Sequence, residues 1–165
     1  LRRVADRAGT EAAARGIGIR VDAAPDLPDA FVDPHRMTQV FLNIIMNAVR
    51  HSPDGGTVTV AVRAEPSGEG GGRGESAMLR VTVADDGPGI APEHLTRIFD
   101  RFYRAGDDRS RGTGGMGLGL SIAKAYVQSH GGTIEAESEP GSGARFIVRV
   151  PAWTGDGCGS RRTEL

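Results

Sequence analysis

Apolar residues recur along the chain with two periods, and these divide it into helices and strands. Over 34–51, Met37, Val40, Phe41, Ile44, Ile45, Ala48 and Val49 are spaced by three and four, the stripe of an amphipathic helix. Asp33-Pro34 predicts its start, with Asp as N-cap and Pro at the first helical position. Ser52-Pro53-Asp54-Gly55-Gly56 predicts its stop. Further helices are expected over 1–15, over about 92–99, and over about 117–129 before Gly131-Gly132. Alternation and β-branching predict strands over 17–21, 57–63, 78–84, 133–138 and 144–150. Two pairs of these strands are joined locally and read as antiparallel hairpins. Strands and helices do not alternate strictly, so the expected class is an α+β two-layer sandwich rather than a βαβ array.

The chain has 165 residues, which makes one domain. It carries 21 acidic and 20 basic side chains, a net charge of −1, so no basic field points to nucleic acid or a membrane surface. Cys158 is the single cysteine, which excludes an intrachain disulfide and a cysteine metal cage. No run reaches the ~18 apolar residues of a membrane span. The chain begins at Leu rather than Met, and we expect it to be a piece of a longer protein. Glycine supplies 25 residues, about twice the usual ~7% share. Five glycines fall in 66–76, expected to be a flexible hairpin loop, and the polar, Gly-rich 104–116 reads as a second mobile loop. Residues 152–165 read as a loose tail, with Trp153 as the side chain able to pack back.

Three places carry candidate chemistry. Asn43 and Asn47, the only asparagines, lie one turn apart on the 34–51 helix, and Arg50 and His51 extend that face. An amide oxygen there can ligate Mg²⁺ and an arginine one turn on can meet phosphates. The same pattern also fits a solvent-facing polar network. Asp85-Asp86-Gly87-Pro88-Gly89-Ile90 follows a strand. Its glycines let backbone approach a flat ligand, and Asp85 can accept from an exocyclic amine. An ordinary tight turn is the alternative. In G-T-G-G-M-G-L-G-L at 112–120, Gly115, Gly117 and Gly119 lead into a helix whose N-terminus can hold an anion. The run is neither a P-loop nor a dinucleotide fingerprint, because it lacks Gly-Lys-Ser/Thr and no strand immediately precedes it.

The order of these motifs is more specific than any one of them. N-I-I-M-N-A-V-R-H-S at 43–52 resembles the N box of sensor histidine kinases, D-D-G-P-G-I at 85–90 the G1 box, and I-F-D-R-F-Y-R at 98–104 the F box. G-G-M-G-L-G-L-S-I-A-K at 114–124 resembles the G2 box, and S-E-P-G-S-G-A-R-F at 138–146 the end of the same domain. Residues 1–151 therefore resemble the catalytic, ATP-binding domain of a two-component histidine kinase of the GHKL superfamily. The resemblance implies a mixed, mostly antiparallel sheet covered on one face by about three helices. It implies ATP and Mg²⁺ as ligands, with Asn47 on the metal, Asn43 supporting it, and Arg50, His51 and Arg104 near the phosphates. Asp85 would read the adenine amino group, with Gly87, Gly89 and Ile90 beside the base. Phe99 and Phe102 would anchor an ATP lid at 104–116. Gly115, Met116, Gly117, Leu118, Gly119 and Leu120 would line the triphosphate.

The reaction so implied moves the γ-phosphoryl of ATP to a histidine. His35, His51, His94 and His130 precede Arg, Ser, Leu and Gly, unlike the family's acceptor, which an acidic residue follows. Apart from His51, these histidines are expected to be structural or solvent-facing. The acceptor is therefore expected on a separate dimerisation domain of the parent protein, with a response regulator downstream. The isolated chain is expected to be a monomer and the cytoplasmic portion of a membrane-anchored parent. Gyrase- and Hsp90-like ATPases and anti-sigma kinases share the fold but carry Glu at the position of Asn43. A nucleotide-sensing module without turnover is the third option. Met116 and Ala144 depart from the small residue and the Thr more usual at their positions.

Overall fold

The helical stripe of 34–51 folds as expected. A computed structural model of the chain describes residues 1–66, 77–105 and 116–152. Helix α2 (Pro34–His51) buries all seven residues of its stripe. The Asp33 carboxylate accepts from the N–H groups of His35 at 2.8 Å and Arg36 at 3.1 Å. These bonds, that from Arg36 foremost, hold the Asp33 carboxyl below its ordinary pKa. The other helices are α1 (Arg2–Ala14), α3 (Pro92–Leu95) and α4 (Gly119–Ser129), of which α1 and α4 pack on α2.

The strands are β1 (Gly18–Ala23), β2 (Thr57–Pro66), β3 (Ala77–Asp85), β4 (Thr133–Ser138) and β5 (Ala144–Pro151). They form one sheet in the order β1-β2-β3-β5-β4. The β1–β2 pair is parallel and the others are antiparallel. Val58, Val60, Val62, Leu79, Val81, Val83, Phe146, Val148 and Val150 join the stripes of α1, α2 and α4 in one core. By the same alternation, Asp85 extends the row of Leu79, Val81 and Val83 on the helix-facing side. The opposite side carries the ion pairs of Arg63 with Asp22 and of Arg149 with Glu65 and Glu135. This is the α+β sandwich that the pattern predicts.

Several boundaries move. The expected 92–99 helix stops at Leu95 and continues as turns, and Phe102 takes a φ of +64°, which no helix accommodates. Helix α4 starts at Gly119, two residues late, because Gly117 adopts a φ of +70°. Ala152, expected to open a loose tail, is buried, bridges to Ala30 and donates to the Ala77 carbonyl at 2.8 Å. Pro66 closes β2 opposite Ala77 rather than beginning the loop. Residues 67–76, 106–115 and 153–165, with Gly115 and Trp153, lie outside the described residues. Among those described, no helix is long and apolar enough to cross a membrane.

Candidate nucleotide site

A cleft of about 530 Å³ opens where α2, the turn after β3 and the start of α4 meet. Its size suits a mononucleotide-scale ligand. It gathers Asn43, Asn47, Arg50, His51, Asp85, Gly89, Ile90, Arg104, Met116, Gly117, Leu118, Gly119 and Leu120. Gly87, Phe99 and Phe102 do not line it. Gly87 instead lies under the wall, its N–H donating to Asp85 Oδ1 at 2.9 Å.

Asp85 sits at the end of β3, between Val58 of β2 and Ala144 of β5, which explains its burial. Its Oδ1 also accepts from the Ala144 N–H at 3.2 Å. Oδ2 takes neither of these two backbone bonds. Burial pushes the Asp85 carboxyl above its ordinary pKa, against the pull of the two backbone bonds and of nearby His51. A buried carboxylate with one oxygen locked by backbone is a fixed recognition point.

The end of α2 is held from outside the helix. Arg15 donates to the carbonyls of Val49 at 2.8 Å, Arg50 at 3.1 Å and Ser52 at 2.8 Å. It also pairs with Asp54 at 2.8 Å. These bonds satisfy carbonyls that a helix C-terminus leaves open, and they fix the turn carrying Arg50 and His51. Asn47 makes no side-chain hydrogen bond among the described residues. Asn43 differs. Its Oδ1 accepts from Gln39 Nε2 at 2.8 Å and its Nδ2 donates to the Gly119 carbonyl at 3.0 Å. Its amide therefore ties α2 to the first turn of α4.

The two roots of the 104–116 segment are pinned together. The Phe102 N–H donates to the Gly117 carbonyl at 3.0 Å. A Cβ on Gly117 would stand 2.9 Å from the backbone of Phe102 and Tyr103, so only glycine fits. The Phe102 ring, expected as an anchor, is 70% exposed, and its backbone makes the attachment instead. Phe99 does pack inward, edge-on to Phe146 at 6.5 Å. Next to this root, Nη2 of Arg104 is buried with no hydrogen-bond partner. A guanidinium nitrogen without a partner on a residue that lines the cleft fits an anionic ligand. The N-terminus of α4 has no side-chain cap and no acidic residue in its first turn, which suits the same anion.

His94 and Tyr103 complete the wall, hydrogen-bonded at 2.7 Å, with the Arg97 guanidinium 4.4 Å from the Tyr103 ring centre. His94, expected to be structural or solvent-facing, is tied to Tyr103 in this wall. Neither the His94–Tyr103 pair nor the Arg15 clamp has a local sequence signal, since each joins residues that only the fold brings together.

Residues 32–154 match the family model described as "Histidine kinase-, DNA gyrase B-, and HSP90-like ATPase". The chain belongs to this ATPase family. Within it, the chain is 40% identical over 139 residues to the adaptive-response sensory kinase SasA of Prochlorococcus marinus, across 84% of this chain and 34% of that protein. It is 40% identical over 135 residues to the sensor histidine kinase WalK of Bacillus subtilis, across 79% of this chain and 21% of that protein. The chain thus spans about a third or less of these relatives. Among solved structures, full-length ShkA in complex with AMPPNP superposes with a TM-score of 0.74 at 32% identity, covering 92% of this chain and 29% of ShkA. The nucleotide-free catalytic domain of histidine kinase ThkA gives 0.74 at 25% identity, covering 92% and 89%. The ATPase-family fold thus extends over nearly all of the chain.

Proposed function

We propose that this chain binds MgATP in the cleft and donates the γ-phosphoryl group to a histidine on a separate dimerisation domain of its parent protein. A response regulator would receive the group next. One observation carries the reading. Asp85, its Oδ1 held by two backbone N–H groups, and Arg104, whose Nη2 has no hydrogen-bond partner, line the same cleft.

Asp85 accepts from the adenine amino group, and the turn at 87–90 lies along the base. Arg104, Arg50 and the α4 N-terminus neutralise the phosphates. Asn47 is the side chain available to Mg²⁺, which supplies further charge neutralisation when bound. Among the described residues no group of three or more His, Cys, Asp or Glu could hold a metal, so most ligands to Mg²⁺ would be phosphate and water oxygens. In the transfer, an acceptor imidazole nitrogen forms the P–N bond as the bond to the β–γ bridging oxygen breaks. ADP leaves with that electron pair. Positioning and charge neutralisation are what such a transfer demands.

Transfer is favoured over hydrolysis because Asp85 is the only carboxylate among the described cleft residues, and its role is with the base. Asn43 cannot act as a general base and its amide is engaged with Gln39 and Gly119. The test is to incubate the chain with γ-labelled MgATP and the helical hairpin that carries the parent's acceptor histidine. Acid-labile label on the hairpin, and none on this chain, is expected. Label on His35, His51, His94 or His130, or ATP consumption indifferent to the hairpin, overturns the reading.

A further inference from the structure

We infer that Ser138 is a positioning residue for base recognition, coupling the turn after β4 to the turn after β3 through its hydroxyl. The inference rests on the reading that Asp85 accepts from the base, and it concerns how that reading is made specific. Ser138 does not line the cleft. Its Oγ accepts from the Ile90 N–H at 2.8 Å and donates to the Gly143 carbonyl at 2.5 Å. A hydroxyl is suited to this place because one small group both donates and accepts.

Three further ties act with it. The Gly141 N–H donates to the Pro88 carbonyl at 2.7 Å, and Ala144 donates to Asp85. Gly89, at a φ of +76°, lies so close to the Glu139 carbonyl that any Cβ would be driven into it. Residues 85–90 and 138–144 therefore form one interlocked unit, in which only the first segment carries the groups proposed to read the base. Pro88, Gly89 and Ile90 line the cleft beside Asp85. Moving their backbone would move the wall against which the amino group is read.

The second turn thus belongs to the specificity apparatus, although of its residues only Ala144 lines the cleft. Removing the hydroxyl leaves a half-buried N–H and a half-buried carbonyl unpaired, and the 85–90 turn is freed to shift.

The test compares ATP with ITP, which carries a carbonyl where adenine has its amino group, by calorimetry. In Ser138→Ala, ATP affinity should fall about three- to tenfold while ITP affinity stays nearly constant, so the ratio narrows. Ser138→Thr, which keeps the hydroxyl, should retain the wild-type ratio. A wild-type ratio in Ser138→Ala overturns the inference. A measurement free of any variant is hydrogen exchange in the folded wild type, where the Ile90 amide should be slowed relative to unbonded loop amides. Exchange of Ile90 at the unprotected rate overturns the inference equally. A wild type that binds ATP and ITP alike sinks the base role of Asp85 first, and the part given to Ser138 falls with it.

Discussion

The two ends of the cleft are assembled on opposite principles. At the base end, Asp85 has one oxygen held by two backbone N–H groups, and its turn is tied to the 138–144 turn at several points. At the phosphate end, Arg104 has a buried Nη2 without a partner and α4 has no side-chain cap. The first end is finished before a ligand arrives, so binding there requires little reorganisation. The second holds donors whose burial is compensated only when an anion arrives. Damage at the base end should therefore erase recognition. Damage at the phosphate end should weaken only ligands that carry phosphate.

The sharpest way to break this contrast is Asp85→Asn. Loss of a charge-assisted acceptor should weaken ATP about 10- to 100-fold by calorimetry, while the ligand-free protein melts no lower than wild type. The same residue predicts opposed responses to pH. Its folded pKa is raised above the ordinary 3.8, so its ionised form costs folded stability. That cost is absent below the ordinary value and develops as pH rises through the raised one. Acidification from neutral should thus relieve it while weakening ATP binding, which needs the carboxylate. This relief should be absent in Asp85→Asn, and identical melting profiles against pH in the variant and the wild type would contradict the assignment.

A smaller effect is expected from Arg104→Met, which keeps an apolar stem and removes the guanidinium with its unpartnered Nη2. ATP should bind about tenfold more weakly, adenosine should be unaffected, and ligand-free stability should hold or rise. Equal weakening of adenosine would place Arg104 on the wrong end. Smallest is Gly117→Ala, which forces a side chain into a left-handed backbone beside Phe102 and Tyr103. A cost of about 1–3 kcal/mol should appear as a melting point lower by several degrees, with a few-fold loss in ATP affinity. A silent variant would mean that the pinned loop roots do not set the phosphate end.

Legibility followed the reach of the underlying interaction. The α2 stripe is written in its own spacing, so the seven predicted residues are the seven buried ones. Asp85 was readable because strand alternation runs straight into it. Arg15 was not, because a guanidinium that meets carbonyls more than 30 positions away looks like any other in an arginine-rich chain. Ser138 meets Ile90 across 48 positions by the pairing of β5 between β3 and β4, a strand order that no local period encodes. Asn43, expected to support Asn47, lines the cleft and shares its amide with Gln39, one turn back on α2, and with Gly119, a partner visible only once α4 is placed. Phe102 misled for a related reason: an aromatic in a motif suggests ring packing, whereas its backbone does the holding.

Where β2 and β3 meet their connection, Pro66 stands opposite Ala77, at the other end of β3 from Asp85. Eight strand steps separate Ala77 from Asp85, which at ~3.3 Å each is roughly 26 Å. The strand ends that flank this connection, Pro66 and Ala77, are therefore remote from Asp85. That makes the connection a natural splice point for a reporter or affinity handle. A donor dye attached there and an acceptor dye on the nucleotide base would make the distance itself a binding signal, without altering a residue of the cleft.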